Sequence, residues 1–242
     1  MAKTKMEQKS EKSHARMSKD VVLGRARKIE KVLNKFCDLE KLTVLDIGTG
    51  SGIIAAYLGK KCKKLYSVDV NDERREKREY TFKKTKNELL PFENERFDIV
   101  ISNHVIEHVA DQEKHVLEAH RVLKNGGILY LATPNKYALI EPHYKMPLLS
   151  WFPNRVSNKI LGVLRKKRWD IKPLTYKKLH SLVKDKFEIK NMTIAVVKNP
   201  LEYSLEIYPI IQKMTRILPG ALLELLNPLM PTYIIILRKR NQ

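Results

Sequence analysis

The first residues that could do chemistry form a glycine-rich run after a short apolar stretch. Val44–Ile47 is apolar apart from Asp46, and glycines follow at alternate positions, Gly48, Gly50 and Gly52. Glycine lets the backbone come close to a ligand and adopt positive φ angles. An apolar strand that runs directly into such a turn therefore predicts a ligand-binding loop.

A second acidic residue lies at the spacing that a nucleoside requires. Asp69 follows Gly48 by about 20 residues, the interval at which a carboxylate meets the ribose hydroxyls in dinucleotide folds. The glycines read G-x-G-x-G rather than G-x-G-x-x-G. Asp46 beside the turn would repel a pyrophosphate and attract an ammonium group. The pattern therefore favours S-adenosylmethionine (SAM) over a nicotinamide dinucleotide.

Histidines form the second group of candidate residues. His104, Glu107 and His108 follow the apolar run Phe97–Ser102, and His143 lies further along the chain. Because a histidine can remove a proton from a hydroxyl group near neutral pH, these four residues are the candidate catalytic residues. A divalent metal is a less favoured alternative, and an imidazole-rich set would prefer Zn²⁺ to Mg²⁺. The capping of a local turn by Glu107 and His108 is another alternative.

Short apolar runs alternate with amphipathic segments from Thr43 onward, a pattern typical of βαβ units around a mostly parallel sheet. The predicted strands are Thr43–Ile47, Leu65–Val70, Tyr80–Thr85, Phe97–Ser102, Ile128–Thr133, Phe187–Val197 and Tyr233–Leu237. The predicted helices are Lys19–Leu39, Ile53–Gly59, Asn71–Arg78, Asp111–Lys124 and Thr175–Lys184. His115 and His120 are expected to face solvent from their helix.

The glycine run resembles the first motif of the class I SAM-dependent methyltransferases. Further segments continue the resemblance in order, and they are similar to the small-molecule, lipid and glycan branch, of the methyltransferase type 11 kind. These segments are Leu90–Phe92, Phe97–Ser102, Val105–Val109 and Arg121–Leu129. The resemblance implies a Rossmann-like α/β fold with a seven-stranded, mostly parallel sheet, an antiparallel last strand and helices on both faces. It also implies SAM as cofactor and methyl transfer, at oxygen, to a small-molecule, glycan or lipid-linked acceptor.

The same resemblance implies which residues bind the cofactor. In the family the turn glycines lie under the methionine portion of SAM, and the acid of the second strand binds the ribose. The residues expected to bind SAM here are Asp46, Gly48, Thr49, Gly50, Gly52, Asp69, Val70, Asn87, Glu88 and Asn103. Lys86 departs from the pattern, because family members often carry an Asp there that contacts adenine. We expect Asn87, Glu88 or a backbone carbonyl to take over that contact.

Three segments lie outside the alternating pattern. Residues 1–18 are polar and Lys-rich and are expected to form a flexible basic tail before one methyltransferase domain, residues 19–242. Residues 136–174 contain four prolines, several aromatic residues and the basic cluster Arg165–Arg168, and are predicted to form a lid. Residues 201–230 are rich in Leu and Ile and are predicted to form a helical insertion.

The formal net charge of +20 leaves several partners open. A basic chain can bind nucleic acid or an anionic membrane, but the predicted SAM site holds acids and the cations lie at its periphery. We therefore expect a small-molecule or lipid-linked acceptor and peripheral contact with an anionic membrane. An RNA methyltransferase and a SAM-binding protein without turnover are the alternatives. Two cysteines and an N-terminus without an apolar signal predict a cytoplasmic protein of undetermined oligomeric state.

Overall fold

A seven-stranded sheet forms the centre of the computed structural model, which describes residues 19–204 and 218–241. Its strands are β1 (Thr43–Ile47), β2 (Lys64–Asp69), β3 (Thr81–Lys84), β4 (Phe97–Asn103), β5 (Leu123–Pro134), β8 (Phe187–Asn191) and β9 (Thr232–Lys239). They lie in the order β3-β2-β1-β4-β5-β9-β8. β9 runs antiparallel to both of its neighbours, and the remaining pairs are parallel. The predicted mostly parallel sheet with an antiparallel last strand is confirmed.

Helices cover both faces of this sheet. The α-helices of the described residues are α1 (Lys19–Leu33), α2 (Ile53–Gly59), α3 (Gln112–Val122), α4 (Asn154–Arg165), α5 (Tyr176–Val183), α6 (Thr193–Lys198) and α7 (Gly220–Leu225). Apolar residues of α1, α2 and α6 pack with one set of strand side chains, and those of α3 and α5 pack with the other set. Strands β1, β4 and β5 are therefore buried on both faces, as their nearly continuous apolar sequences predict.

Two helices begin at the residues whose side chains can cap them. The Asp111 carboxylate accepts hydrogen bonds from the backbone N–H groups of Glu113 and Lys114 at the start of α3. The Thr175 hydroxyl accepts one from the N–H of Lys178 at the start of α5. Both N-caps were identifiable from the sequence, because these bonds are local.

The predicted helix Asn71–Arg78 is wrong. This connection is irregular, and the backbone N–H groups of Arg75 and Glu76 donate to the carbonyl of Ser51 in the glycine-rich turn. The carboxylates of Asp72 and Glu76 accept hydrogen bonds from nearby backbone N–H groups. Such local bonds compete with the helical ladder, so the segment lies against the turn instead.

The predicted strand Phe187–Val197 is correct only in its first half. β8 ends at Asn191, whose side-chain oxygen accepts a hydrogen bond from the N–H of Thr193, where α6 begins. The Thr193 hydroxyl in turn accepts from the N–H of Ile234 in β9. These two bonds turn the chain away from the sheet.

The first helix is shorter than the predicted range Lys19–Leu39, because α1 ends at Leu33.

The predicted lid segment, residues 136–174, folds beyond the end of β5. It contains the hairpin of β6 (Ile140–Glu141) and β7 (Met146–Pro147), a 3₁₀ turn at Leu149–Trp151, and α4. An isolated parallel bridge pairs Asn135 with Leu174 and brings the two ends of the segment together.

The predicted tail, residues 1–18, lies outside the described residues, and so do residues 205–217 of the predicted helical insertion. Within the described part of that insertion, α7 is followed by a 3₁₀ turn at Asn227–Leu229. Among the residues that the structure describes, no helix combines the length and apolarity that crossing a bilayer demands.

Candidate active site

The glycine-rich turn between β1 and α2 has the backbone conformation that its sequence suggested. Gly48, Gly50 and Gly52 have φ angles of +81°, +49° and +78°, in the left-handed region. A Cβ atom at Gly48 would lie 2.5 Å from Cγ2 of Val105, and one at Gly52 would collide with the carbonyl of Glu76. Around Gly50 nothing lies within 4 Å of the Cβ position. The turn is therefore packed at both ends and open at its middle glycine.

Two carboxyl groups flank this turn in different environments. Asp69 at the end of β2 accepts a hydrogen bond of 2.8 Å from the N–H of Gly50. Asp46 at the end of β1 is only 2% exposed, and burial, together with the charge of Asp69, raises its pKa well above the usual range. Ser67 lies 3.4 Å from Asp46 and is hydrogen-bonded to Thr49. A cation placed beside Asp46 would favour its ionised form.

Two further residues expected to bind the cofactor lie at the same edge of the sheet. Val70 directly follows β2 and is 48% exposed. Asn103 is the last residue of β4, and its side-chain oxygen is buried without a hydrogen-bond partner among the described residues. A ligand at this edge could contact the exposed apolar side chain of Val70 and donate a hydrogen bond to the side-chain oxygen of Asn103.

The remaining two expected cofactor residues make local hydrogen bonds. The Asn87 side-chain oxygen accepts from the N–H of Leu89. The Glu88 carboxylate accepts from the two backbone N–H groups that precede α3. Both side chains thus hold the loop between β3 and β4 and the start of α3, so their contact with adenine remains a prediction.

A histidine and a buried carboxylate follow β4 directly. His104 has a φ of +59°, an uncommon conformation for a residue with a side chain, and its N–H donates to the carbonyl of Ala132. Its Nδ1 lies 3.3 Å from Oε1 of Glu107. Glu107 has no solvent exposure, and its Oε2 accepts a hydrogen bond of 3.1 Å from the Thr133 hydroxyl. The Glu107 Oε1 atom has no hydrogen-bond partner among the described residues.

The lid hairpin brings the second predicted histidine to this carboxylate. Glu141 in β6 is fully buried, and its Oε1 lies 2.9 Å from Nδ1 of His143. Its Oε2 accepts a hydrogen bond from the N–H of Tyr144. His143 Nε2 then lies 3.7 Å from Oε1 of Glu107, too far for a direct hydrogen bond. The hairpin therefore fixes the imidazole with one nitrogen bonded and the other directed toward Glu107.

The structure thus brings together His104, Glu107 and His143, which the sequence had singled out separately. One side-chain atom from each of them lies within 4.8 Å of the others, a separation that would also suit a bound cation. The ring of His108, the fourth predicted catalytic residue, is centred 5.5 Å from that of His143. His108 is more exposed than the other three residues and lies at the rim of the cluster.

Burial and mutual interactions set the charges of the cluster. Burial lowers the pKa of His104 to about 4, so this imidazole is neutral at physiological pH. Burial alone would raise the pKa of Glu107, but the three neighbouring imidazoles outweigh it and lower that pKa. Burial also opposes protonation of His143, yet the hydrogen bond to Glu141 and the charge of Glu107 raise its pKa. His143 is therefore the more basic histidine of the two.

Sequence reasoning missed some partners and misplaced one histidine. Glu141 and Thr133 were not predicted to be functional; the spacing of Glu141 two residues before His143 was the only available signal. The prediction that His115 faces solvent is wrong, because it is 3% exposed and lies 2.9 Å from the Ser102 hydroxyl. Its amphipathic helix turns this position toward the sheet.

Comparisons with known proteins point to the same fold and domain. A family model described as a methyltransferase domain matches residues 45–131. The ubiquinone biosynthesis O-methyltransferase of Rickettsia prowazekii (strain Madrid E) is 30% identical over 141 residues, which cover 52% of this chain and 54% of the relative. The protein of the same name from Pelagibacter ubique (strain HTCC1062) is 25% identical over 129 residues, 48% of this chain and 52% of the relative. The chain spans about half the length of the curated relatives it matches.

Solved structures share the fold over most of the chain. The YcgJ protein of Bacillus subtilis has a TM-score of 0.55 at 16% identity, covering 89% of this chain and 98% of its own. A Haloferax volcanii methyltransferase, solved in complex with the Trm112 methyltransferase activator, has a TM-score of 0.60 at 16% identity and full coverage of both chains. Residues 45–131 thus match a methyltransferase domain, and the fold around them is the one that these solved structures share.

Proposed function

We propose that the protein transfers the methyl group of SAM to an oxygen atom of a small-molecule or lipid-linked acceptor, with His143 as the general base. The observation that carries this proposal is that the glycine-rich turn packs against a residue between two members of the histidine cluster. Val105 packs against Gly48, and it lies in the chain between His104 and Glu107. A cofactor on the turn would therefore present its reactive end near the cluster.

The residues around the turn fit SAM. Gly50 leaves open space on the ligand side of the turn, and the carboxylate of Asp69 lies within hydrogen-bond distance of its backbone. Asp69 would bind the ribose hydroxyls, since a carboxylate accepts two hydrogen bonds at once. Asp46, buried beside the turn, would gain a cationic partner in the ammonium group of the methionine portion.

The lid hairpin supplies the base. Bound SAM provides an electrophilic methyl group on a sulfonium centre. Glu141 holds His143 through Nδ1, so that Nε2 can take the proton of the acceptor hydroxyl as its oxygen forms the bond to the methyl carbon. His104, which is neutral at physiological pH, and Glu107 lie next to His143 in the same cluster. Transfer then depends mainly on in-line positioning of the acceptor.

An oxygen acceptor is also supported by the relatives. Two proteins similar over about half of this chain are named ubiquinone biosynthesis O-methyltransferases. A hydroxyl group needs a base at the moment of transfer, and the Glu141–His143 pair offers one. The relatives therefore agree with the chemistry of the cluster in favouring oxygen.

One observation favours a second role for the same cluster, a bound divalent cation. The Glu107 Oε1 atom is buried, lacks a hydrogen-bond partner among the described residues, and lies between His104 and His143. A buried anionic oxygen gains from a cation, and two imidazoles with one carboxylate suit Zn²⁺ better than Mg²⁺. A metal there would bind the acceptor oxygen and acidify its hydroxyl group.

Substitutions at two glycines of the turn should distinguish an effect on cofactor binding from an effect on stability. In Gly50→Ala the new methyl group meets open space, so we expect a fall of only a few degrees in Tm, from about 1–2 kcal/mol of left-handed strain. SAM binding, measured by calorimetry, should be lost or strongly weakened. In the matched variant Gly52→Ala the methyl group meets the backbone of Glu76, so Tm should fall further. Unchanged SAM affinity in a folded Gly50→Ala protein would contradict the proposed site.

Asp69→Asn should weaken SAM binding about 10- to 100-fold, because hydrogen bonds to a charged group contribute about 1.5–3 kcal/mol. The control is Glu93→Gln, which removes the same charge from an exposed position. Calorimetric titration of both variants with SAM and with its demethylated product measures the effect. Equal affinities for the two variants would exclude Asp69 as a ligand of the ribose.

His143→Gln should lower kcat at least about 100-fold, the lower range for a general base, and leave the Kd of SAM within a factor of two. The assay follows transfer of a tritiated methyl group from SAM to a set of dihydroxybenzoates and longer-chain catechols. His180→Gln, at an exposed position, is the control. A wild-type protein that binds SAM and labels none of these acceptors would be a SAM-binding protein without this turnover.

Metal removal distinguishes the two roles of the cluster. If His143 acts as the base alone, dialysis against EDTA should leave kcat within a factor of two. Loss of activity that Zn²⁺ restores, together with loss of zinc by His104→Ala in elemental analysis, would assign the cluster to a metal instead.

A further inference from the structure

Exposed apolar side chains concentrate on the lid, residues 136–174. Nine of the sixteen large apolar side chains that are exposed among the described residues belong to it. They are Tyr137, Leu139, Ile140, Leu148, Trp151, Phe152, Val156, Val163 and Leu164. Since the lid makes up a small part of the chain, this is a local property and not the scatter that any protein surface shows.

Helix α4 of the lid presents its apolar stripe outward. Val156, Ile160, Val163 and Leu164 have the spacing of one helical face, the face that normally packs on a core. Here Val163 is 74% exposed and Leu164 is 64% exposed, while Ile160 is half-buried. The helix is instead attached to the protein through Leu161 and its neighbour on that face, Ser157, both of which are buried.

The attachment of α4 depends on a few definite contacts. The Ser157 hydroxyl donates a hydrogen bond of 2.8 Å to the carbonyl of Leu149. Trp151 donates through its ring nitrogen to the carbonyl of Ala138, while its ring remains 42% exposed. The helix packs on the protein through the face that carries Ser157 and Leu161. The face that carries the apolar stripe is therefore left exposed.

The charges of the lid all have one sign over a long stretch. Residues 142–169 contain seven Lys or Arg residues and no Asp or Glu. All seven cations are exposed. They are Lys145, Arg155, Lys159, Arg165, Lys166, Lys167 and Arg168. On the helical wheel Lys159 lies beside Val163 at the edge of the apolar stripe and Arg155 lies beside Lys159, so cations and apolar side chains face outward together.

We infer that this outer face of the lid docks on an anionic lipid bilayer. A helix with an apolar stripe bordered by cations lies in the plane of a membrane, with its apolar side chains below the headgroups. Trp151 and Phe152 precede α4 on the same exposed surface, and tryptophan prefers the membrane interface. Anionic headgroups attract exposed cations such as those of the lid, whereas a neutral membrane surface does not.

Docking in this way would bring the bilayer to the candidate active site. The same lid carries Glu141 and His143 on its inner side, through the hairpin of β6 and β7. A lipid-linked acceptor could then reach the cluster without crossing water. The docking surface itself does not depend on the proposed methyl transfer, because vesicle binding can be measured without turnover.

The apolar contribution is tested by sedimentation of the full chain with vesicles of 70% phosphatidylcholine and 30% phosphatidylglycerol. The double variant Val163→Ser, Leu164→Ser should bind at least about tenfold more weakly, because less apolar surface enters the bilayer. The matched control, Leu89→Ser with Leu117→Ser, changes two exposed apolar residues outside the lid and should bind as the wild type does. Thermal melts establish that the variants are folded.

The contribution of the lid cations to vesicle binding is tested with a second variant and its matched control. Lys159→Gln with Arg155→Gln should weaken binding about 25-fold, at about fivefold for each cation near the surface. Lys60→Gln with Lys63→Gln removes two exposed cations from another part of the protein and should have little effect. Binding should also decrease with rising salt and on pure phosphatidylcholine vesicles.

Three results would overturn the inference. The first is no binding to the anionic vesicles, and the second is an equal loss of binding in the lid variants and their controls. The third is that the stripe is already covered in the absence of lipid, by residues 205–217 or by a second copy of the chain. A solvent-sensitive fluorophore on Val163→Cys would report that cover in solution, and light scattering would show whether a dimer provides it.

Discussion

The buried carboxylate of Glu107 is the constraint around which the candidate active site is arranged. An ionised carboxylate loses several kcal/mol of solvation when it is buried, and neighbouring donors or cations have to compensate for this loss. Thr133 from β5 compensates one oxygen by a hydrogen bond. His104 and His143 approach the other oxygen from the end of β4 and from the lid. The carboxylate thus joins three separate parts of the chain.

The sheet makes this convergence possible. Because β1, β2, β4 and β5 are parallel neighbours, the residues that follow them meet at one edge. Asp69 and the glycine-rich turn come from β2 and β1, and His104 comes from β4. Val105 connects the two groups by packing on Gly48. The candidate cofactor site and the histidine cluster therefore both follow from the order of the parallel strands.

The lid combines two tasks in one segment. Its hairpin faces inward, where Glu141 fixes His143 against Glu107, and its helix α4 faces outward with exposed apolar and basic side chains. The bridge between Asn135 and Leu174 closes the segment at its base. If the inner face binds the acceptor and the outer face binds a membrane, as proposed above, the lid would pass a lipid-linked acceptor from the bilayer to the histidine cluster.

Local rules account for what was predictable. The sheet, the capping of α3 by Asp111 and the glycine-rich turn follow from patterns and hydrogen bonds within a few residues, so each could be identified from the sequence. The connection after β2 and the second half of Phe187–Val197 were misassigned. There, contacts with Ser51 and Ile234 from distant segments decide the conformation. The same limit explains why His115 was expected in solvent and lies instead against Ser102.

The sequence by itself determined the class of fold and the position of the glycine-rich turn, and it predicted the edge at which a nucleoside would bind and the residue types available for proton transfer. Only the tertiary structure decided that His104, Glu107 and His143 share one space, that Glu141 orients His143, and that the apolar stripe of α4 faces outward. These facts depend on distances between residues far apart in the chain. Such distances follow from how the sheet and the lid pack, which local patterns do not specify.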